Sequence, residues 1–165
     1  MLLETMEDLL LDQLRNLYSI ETQIEVALPV LVDQTTAPAL RDAITRHFEE
    51  TEGQIVRLQE IFGSLGGSAR GPRCLGIAAL LQETEDTMRR ASRGPVLDAV
   101  VIACLQRVEH YEMAAYASAL SYARQLSQHR IAELLTESLA EESSADQGLY
   151  QIAEAEVLEQ NEMAA

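Results

Sequence analysis

The 165-residue sequence predicts an all-α fold, a four-helix bundle whose long crossover carries a short extra helix. The composition is 47% hydrophobic and rich in alanine, leucine, glutamate and glutamine, without tryptophan, which favours helices. Apolar residues recur at three- and four-residue spacing through four long segments, as on the buried faces of helices. Five of the eight glycines lie between positions 63 and 76, which indicates a long connection in the middle of the chain.

The first pair of long helices is predicted over residues 4–33 and 38–62. Pro29 lies inside the first helix and predicts a kink or early fraying, because its ring clashes with the carbonyl four residues earlier. The segment Thr35–Pro38 predicts hydroxyl caps and a first-turn proline for the second helix, and Gly63 is expected to end that helix. The predicted inner faces consist of Leu10, Leu14, Leu17, Ile24, Leu28 and Leu31, followed by Leu40, Ile44, Phe48, Ile55, Leu58 and Phe62.

The second pair follows a short helix predicted over residues 74–91. Pro95 suits the first turn of a helix that continues to about residue 124. Ser127 is expected to cap the last long helix, because its hydroxyl can accept from a free backbone N–H. The predicted inner faces consist of Val101, Leu105, Val108, Ala115, Ala119 and Leu120, followed by Ile131, Leu134, Leu135, Leu139, Leu149 and Ile152.

The lengths of the connections predict the topology. Few residues join the helices within each pair, so each pair should pack antiparallel. About thirty residues separate the two pairs, which is enough to carry the chain along the full length of a bundle. We therefore expect one domain over residues 1–156 and an acidic tail over residues 157–165 that frays.

Charge and cysteine content exclude several function classes. The formal charge of −15, from 27 acidic and 12 basic residues, would repel nucleic acid and anionic membranes. The sequence also lacks a basic leader and any apolar run near the roughly 18 residues of a membrane helix, which predicts a cytoplasmic protein. Cys74 and Cys104 stand alone without a CxxC motif, so we expect free thiols.

Four glutamates interrupt the apolar faces at matching separations. Glu50 follows Glu21 by 29 residues, and Glu142 follows Glu112 by 30. Glu21 lies between Leu17 and Ile24, and Glu112 lies between Val108 and Tyr116, at the three- and four-residue offsets that share a helical face, so both should point into the core. Glu50 is expected within the buried stripe or at its edge.

Two further positions complete the candidate constellation. Glu109 lies one turn before Glu112, so both side chains could reach one site. Glu142 shares an arc with Leu139 and Leu149, whereas Glu141 is rotated by about 100° and is the fallback. The two halves also match in their next polar residues, Gln54 four positions after Glu50 and Asp146 four positions after Glu142.

Buried carboxylates require compensation. Unpaired, each would cost several kcal/mol, and repulsion between like charges would add to that cost. Hard oxygen ligands suit iron(II), manganese or magnesium, with zinc as an alternative, and glutamates from four helices are known to hold two such ions in a bundle core. The sequence therefore predicts two divalent metal ions, iron or manganese, held by Glu21, Glu50, Glu109, Glu112 and Glu142, with Gln54 and Asp146 as weaker oxygen donors.

Four segments together resemble the YciF-like family of ferritin-like bacterial proteins associated with stress. They are DLLLDQLRNLYSIETQI, HFEETEGQIVRLQEIF, RVEHYEMAAYASALSYARQL and LLTESLAEESSADQGL, within a similarity that spans roughly residues 4–153. The resemblance implies a ferritin-like bundle, a dinuclear metal centre, association as a homodimer and a role in stress response. An active centre of this kind would oxidise iron(II) or reduce oxygen or peroxide.

The sequence departs from the related ferritin-like enzymes at two histidines. Where those enzymes carry Glu-x-x-His, the positions after Glu50 and Glu142 are Gly53 and Ala145, neither able to ligate. Gln54 and Asp146, one residue further on, or His47, one turn before Glu50, could replace the missing ligands.

The remaining polar candidates can also be interpreted as structural or solvent-exposed residues. Tyr18 and Tyr116 lie one turn from Glu21 and Glu112, so either hydroxyl could hydrogen-bond a carboxylate or simply pack in the core. His110 is rotated away from the acids, which favours a structural role, and His129 should be solvated. The alternative function is a non-enzymatic helical dimer or partner-binding module without bound metal, in which tyrosine, histidine and glutamine satisfy the buried acids.

Overall fold

The computed structural model describes residues 2–158, which form five α-helices and one π-helical turn. The helices are α1 (Met6–Gln34), α2 (Pro38–Leu65), α3 (Leu75–Met88), α4 (Pro95–Gln125) and α5 (His129–Ile152), and the turn covers Ala153–Leu158. The order and number of helices confirm the all-α prediction. The predicted fraying of 157–165 falls largely outside the described residues. Within 2–158, no helix has the length and apolarity that a membrane span requires.

The four long helices form a closed square. α1 packs against α2 and α4, and α5 packs against α2 and α4. The short connections 35–37 and 126–128 make each pair antiparallel, as the sequence predicts. The crossover returns the chain to the start of α4, and on its way α3 covers α4 and α1 on the outside of the square. The inner faces of four helices therefore meet along one axis.

The predicted inner faces are confirmed by burial. Of the residues predicted to line them, Phe48, Leu139 and Ile152 are partly buried and the others are buried. Cys74 and Cys104 are buried free thiols, also as predicted. α1 continues through Pro29 to Gln34, so the proline does not fray the helix early.

Asp98 ties the start of α4 to the turn between α1 and α2. Its buried carboxylate accepts hydrogen bonds from the Thr36 N–H at 2.8 Å, the Thr36 hydroxyl at 2.5 Å and the Ala37 N–H at 3.0 Å. The predicted hydroxyl caps of α2 are therefore wrong. Thr36 donates to Asp98, Thr35 donates back to the carbonyl of Leu31, and Ala37 is the N-cap residue without a side-chain bond.

Two further boundaries differ from the prediction. α2 passes Gly63 and ends at Gly66, whose φ of 65° lies in the left-handed region that glycine adopts without steric cost. Ser127 does not cap α5, because it serves the preceding helix end instead. Its φ is 56°, and the N–H groups of Ser127 and Gln128 close the last turn of α4 on the carbonyls of Arg124 and Ala123.

Candidate metal centre

Four side chains from three helices meet in the core. His47 comes from α2, Glu109 and Glu112 from α4, and Glu142 from α5, and one ligand atom of each lies within 4.8 Å of the others. All four residues are buried. We call this set the four-residue cluster. Three carboxyl groups and an imidazole at this separation are a donor set that a divalent cation can bridge.

Helical geometry explains why α4 supplies two of the four candidate ligands. Glu109 and Glu112 are one turn apart and continue the buried line of Leu105, Val108 and Tyr116. Apolar residues on both sides anchor α4 against the other helices, so the two carboxyls are carried inward with the helix face. The structure places both as the sequence predicts.

Glu21 lies beside the four-residue cluster, on α1. It is 0% exposed, and its Oε1 accepts a hydrogen bond of 2.5 Å from the Tyr116 hydroxyl. Its Oε2 is buried without a hydrogen-bond partner. Of the two tyrosines considered from sequence, Tyr116 contacts a candidate ligand, and Tyr18 instead accepts a bond from Gln59.

A polar network between α2 and α5 orients Glu142. The Gln54 amide donates to Glu142 Oε1 and, at 3.1 Å, to Glu141 Oε2. Arg57 pairs with Glu141 and donates to the Ser138 hydroxyl at 3.0 Å. Gln54 thus acts here as a hydrogen-bond donor between α2 and α5, and Arg57 is a contributor that the sequence reasoning missed, since nothing in its spacing marks it.

Burial dominates the electrostatics of the site. It raises the pKa of Glu21, Glu109 and Glu112 well above the ordinary value, and the nearby Glu142 charge raises each pKa further. Burial also raises the pKa of Glu142 to about 7. Water is scarce around these groups, so a charged carboxylate is disfavoured until a cation compensates it.

His47 offers a neutral imidazole. Burial lowers its pKa to about 4, so the ring is uncharged near neutral pH and has a lone pair free to bind a metal. Its Nε2 lies 3.4 Å from Glu109 Oε1, and neither ring nitrogen has a hydrogen-bond partner. Of the replacements considered for the missing histidines, His47 is the one that the structure brings to the cluster.

Glu50 and Asp146 lie at the margin of the site. Glu50 is half-buried and lines a cavity of about 30 Å³ next to His47 and Glu109. Burial raises its pKa, and the charge of Glu141 adds to the effect. Asp146 faces His110, with Oδ2 3.3 Å from Nε2, and the other Asp146 oxygen is buried without a partner.

A groove larger than the cavity beside His47 lies elsewhere in the described residues. It has a volume of about 590 Å³ and runs between α1 and α3, where Val26, Val30, Leu81 and Met88 give it an apolar lining. Size alone would make it the default ligand site. The side chains that could hold a cation together are instead in the bundle core, so the candidate metal centre and this groove are separate.

The four-residue cluster and Glu21 fit a divalent metal ion. Buried polar atoms in folded proteins nearly always have partners. The buried atoms without a hydrogen-bond partner are both oxygens of Glu109 and Glu112, one oxygen each of Glu21, Glu142 and Asp146, both nitrogens of His47, the amide oxygen of Gln54 and the Thr51 hydroxyl. The carboxyl oxygens, the amide oxygen and one nitrogen of the neutral His47 ring can each donate a lone pair, and oxygen with imidazole nitrogen is a donor set suited to iron and manganese.

Comparison with known proteins places the chain in a family. Residues 5–162 match the family model described as a domain of unknown function, DUF892. Protein YciF of Escherichia coli (strain K12) is 34% identical over 152 residues, which cover 92% of each chain. The solved structure of the E. coli stress protein YciF superposes with a TM-score of 0.87 at 34% identity, over 91% of this chain and 95% of that one.

Two other solved structures share the fold. YcfI from Rhodopseudomonas palustris has a TM-score of 0.87 at 40% identity, over 90% of this chain and 94% of that one. A protein from Xanthomonas campestris has a TM-score of 0.76 at 20% identity, over 97% of this chain and 99% of that one, a likeness of fold alone. The predicted ferritin-like bundle and the resemblance to YciF are confirmed. The chain belongs to the family described as domain of unknown function DUF892, and it is YciF-like in sequence and fold.

Proposed function

We propose that the protein binds divalent iron or manganese in the bundle core. The four-residue cluster would hold one ion, and Glu21 together with the inward carboxyls of α4 would allow a second. The observation that supports the proposal is the set of buried candidate ligand atoms without hydrogen-bond partners, which come from α1, α2, α4 and α5. Without a cation, burying these groups in their charged form would be unfavourable.

The proposed activity is oxidation of iron(II) coupled to reduction of oxygen or peroxide, and we propose a role in stress because the similar E. coli YciF is named a stress protein. Iron(II) ions bound there would supply the electrons, one from each ion. The chain's own residues would exclude water and hold the ligands. Gln54 fixes one oxygen of Glu142, and the Tyr116 hydroxyl holds its proton against Glu21.

Metal content tests the proposal. The protein is purified without chelator, then supplied anaerobically with iron(II) or manganese(II), and the metal per chain is measured after desalting. We expect at least one ion per chain and a higher melting temperature, because an ion bound only by the folded state stabilises it. Glu112→Gln, which keeps the shape and removes the charge, should weaken binding by roughly tenfold or more.

The control is Glu133→Gln, an exposed carboxyl on α5 that should leave binding unchanged. Binding well below one ion per chain would favour the non-enzymatic alternative, a helical module without metal. Unchanged binding in Glu112→Gln would place any metal outside the core. Association as a homodimer and a cytoplasmic location stay predictions from the sequence.

A further inference from the structure

The two sides of the core are chemically unequal. On one side, His47 and three carboxyls lie within mutual reach of one cation. On the other side, Glu21 is outside the four-residue cluster, and one of its oxygens is already engaged by Tyr116. The internal match between the two halves of the sequence would predict two equivalent sets of ligands. The side chains of the two sides are instead different.

α2 is the cause of the inequality. Its buried face in the middle of the bundle carries His47, Thr51 and Gln54, and Glu50 is only half-buried. α5 carries a fully buried carboxyl, Glu142, at the level where it meets Gln54. The amide hydrogens of Gln54 point at Glu142, so at this place α2 presents a partial positive charge rather than a negative one.

An ion near Glu21 would therefore lack ligands. It could bind the Glu21 oxygen that has no partner and share a carboxyl of Glu112. To bind the second Glu21 oxygen as well, it would have to displace or share the hydrogen bond from the Tyr116 hydroxyl. An ion already held by the four-residue cluster would repel it across a medium of low dielectric constant. The first ion meets neither obstacle.

We infer that the centre is sequential, with one divalent ion bound first by His47, Glu109, Glu112 and Glu142, and a second, weaker ion that requires Glu21. This inference rests on the proposed function. It also gives His47 a selective role, since an imidazole ligand suits manganese and iron better than magnesium. The first position should then hold manganese against an excess of magnesium.

Manganese(II) titration of the full chain tests the order of binding. Calorimetry at neutral pH should show a first step at one ion per chain and a second step that is roughly tenfold weaker or more. Electron paramagnetic resonance gives an independent readout. At one equivalent the spectrum should be that of an isolated ion, and a spin-coupled pair should appear only with excess metal.

Three variants separate the two positions, each checked for an unchanged helical spectrum. His47→Gln should weaken the first step by about tenfold or more and remove the preference for manganese over magnesium. Glu21→Gln should leave the first step within about threefold of the parent and eliminate the second. Tyr116→Phe should strengthen the second step alone, because it frees the Glu21 oxygen, and it supplies the same information if Glu21→Gln does not fold.

The outcomes are distinguishable. Two ions bound in one step with equal affinity, or a first step that depends on Glu21 rather than His47, would overturn the inference and leave the proposed metal binding intact. No binding at all would overturn both. A first step that depends on His47, with a second step seen only at millimolar metal, supports the inference.

Discussion

Glu142→Gln should stabilise the metal-free protein at alkaline pH, although it removes a candidate ligand. Burial raises the pKa of Glu142 from its ordinary value of 4.5 to about 7. Below pH 4.5 the carboxyl is protonated in the folded and unfolded states alike, and burial of its charge costs nothing. Between pH 4.5 and about 7 the unfolded state gives up this proton while the folded state keeps it, so stability is lost across that range and the loss is complete above it.

The magnitude follows from the two pKa values. One pKa unit corresponds to about 1.4 kcal/mol, so ionising Glu142 in the folded protein costs on the order of 3 kcal/mol at pH 8. At pH 5 the cost is below about 1 kcal/mol. A neutral glutamine avoids the cost at every pH and can still accept the bond from Gln54. For a chain of this size, about 3 kcal/mol corresponds to a melting shift of roughly 6–12 °C.

Urea denaturation with chelator present, at pH 5 and pH 8, measures the effect. The lowered pKa of His47, about 4 because of burial, also makes stability depend on pH. That dependence is common to parent and variant, so it cancels in their difference. Glu133→Gln on the surface of α5 is the control and should change stability by less than about 0.5 kcal/mol.

Saturating manganese should reverse the order of stability, because the parent gains an ion that Glu142→Gln binds weakly. The reasoning would be refuted by a variant that is less stable than the parent at pH 8 without metal. It would equally be refuted by a stability difference that is the same at pH 5 and pH 8.

Three other predictions concern the scaffold and the protons of the site. Asp98→Ala should cost about 3–4 kcal/mol in urea denaturation, since it leaves the N–H groups of Thr36 and Ala37 and the Thr36 hydroxyl without their acceptor; a cost below about 1 kcal/mol would contradict this role. Gly76→Ala should lower the free energy of unfolding by about 1–3 kcal/mol, because the added Cβ would contact the Tyr111 hydroxyl and lie 2.7 Å from Cζ and 2.8 Å from Cε2 of the same ring. The loss should shrink when the change is combined with Tyr111→Ala. Additive losses from the two changes would argue against the contact. Metal binding at neutral pH should release protons, since the raised pKa values keep the buried carboxyls protonated until a cation replaces the proton. Calorimetry in two buffers of different ionisation enthalpy measures this release. Binding heats that do not depend on the buffer would count against it.

The sequence was sufficient to place Glu21, Glu109 and Glu112. Long apolar runs on both sides set the phase of α1 and α4, so a glutamate in the same phase has to face the core. The topology was equally accessible, because connection lengths alone distinguish a bundle with one crossover from one with short turns throughout.

The middle of α2 was harder to predict because its buried face is polar. His47, Thr51 and Gln54 occupy the core there, so hydrophobic periodicity does not tell Glu50 from its neighbours. The role of Gln54 as donor to Glu142 likewise depends on the distance between α2 and α5, which local sequence does not encode. Only the packing of helices distant in the chain decides which of these side chains point at the cluster.

The caps of α2 and α5 were mispredicted because other hydrogen bonds compete for both turns. Thr36 and Ser127 carry hydroxyls at positions that favour N-caps. A remote carboxylate, Asp98, recruits the Thr36 hydroxyl, and closure of the last α4 turn puts Ser127 into the left-handed region. A remote carboxylate therefore decided the first turn, and the end of the preceding helix decided the second.

The order in which the ligands occur along the chain bears on the protein's synthesis. When the ribosome has synthesised only α1 and α2, the nascent chain contains Glu21 and His47. These two side chains alone would bind a cation weakly. Glu109 and Glu112 follow with α4, and Glu142 comes with α5, the last of the described helices. Because domains fold as units and a metal site of this kind does not exist in the unfolded chain, partly made molecules should capture no iron or manganese. Metal uptake would then mark the moment at which the last helix docks.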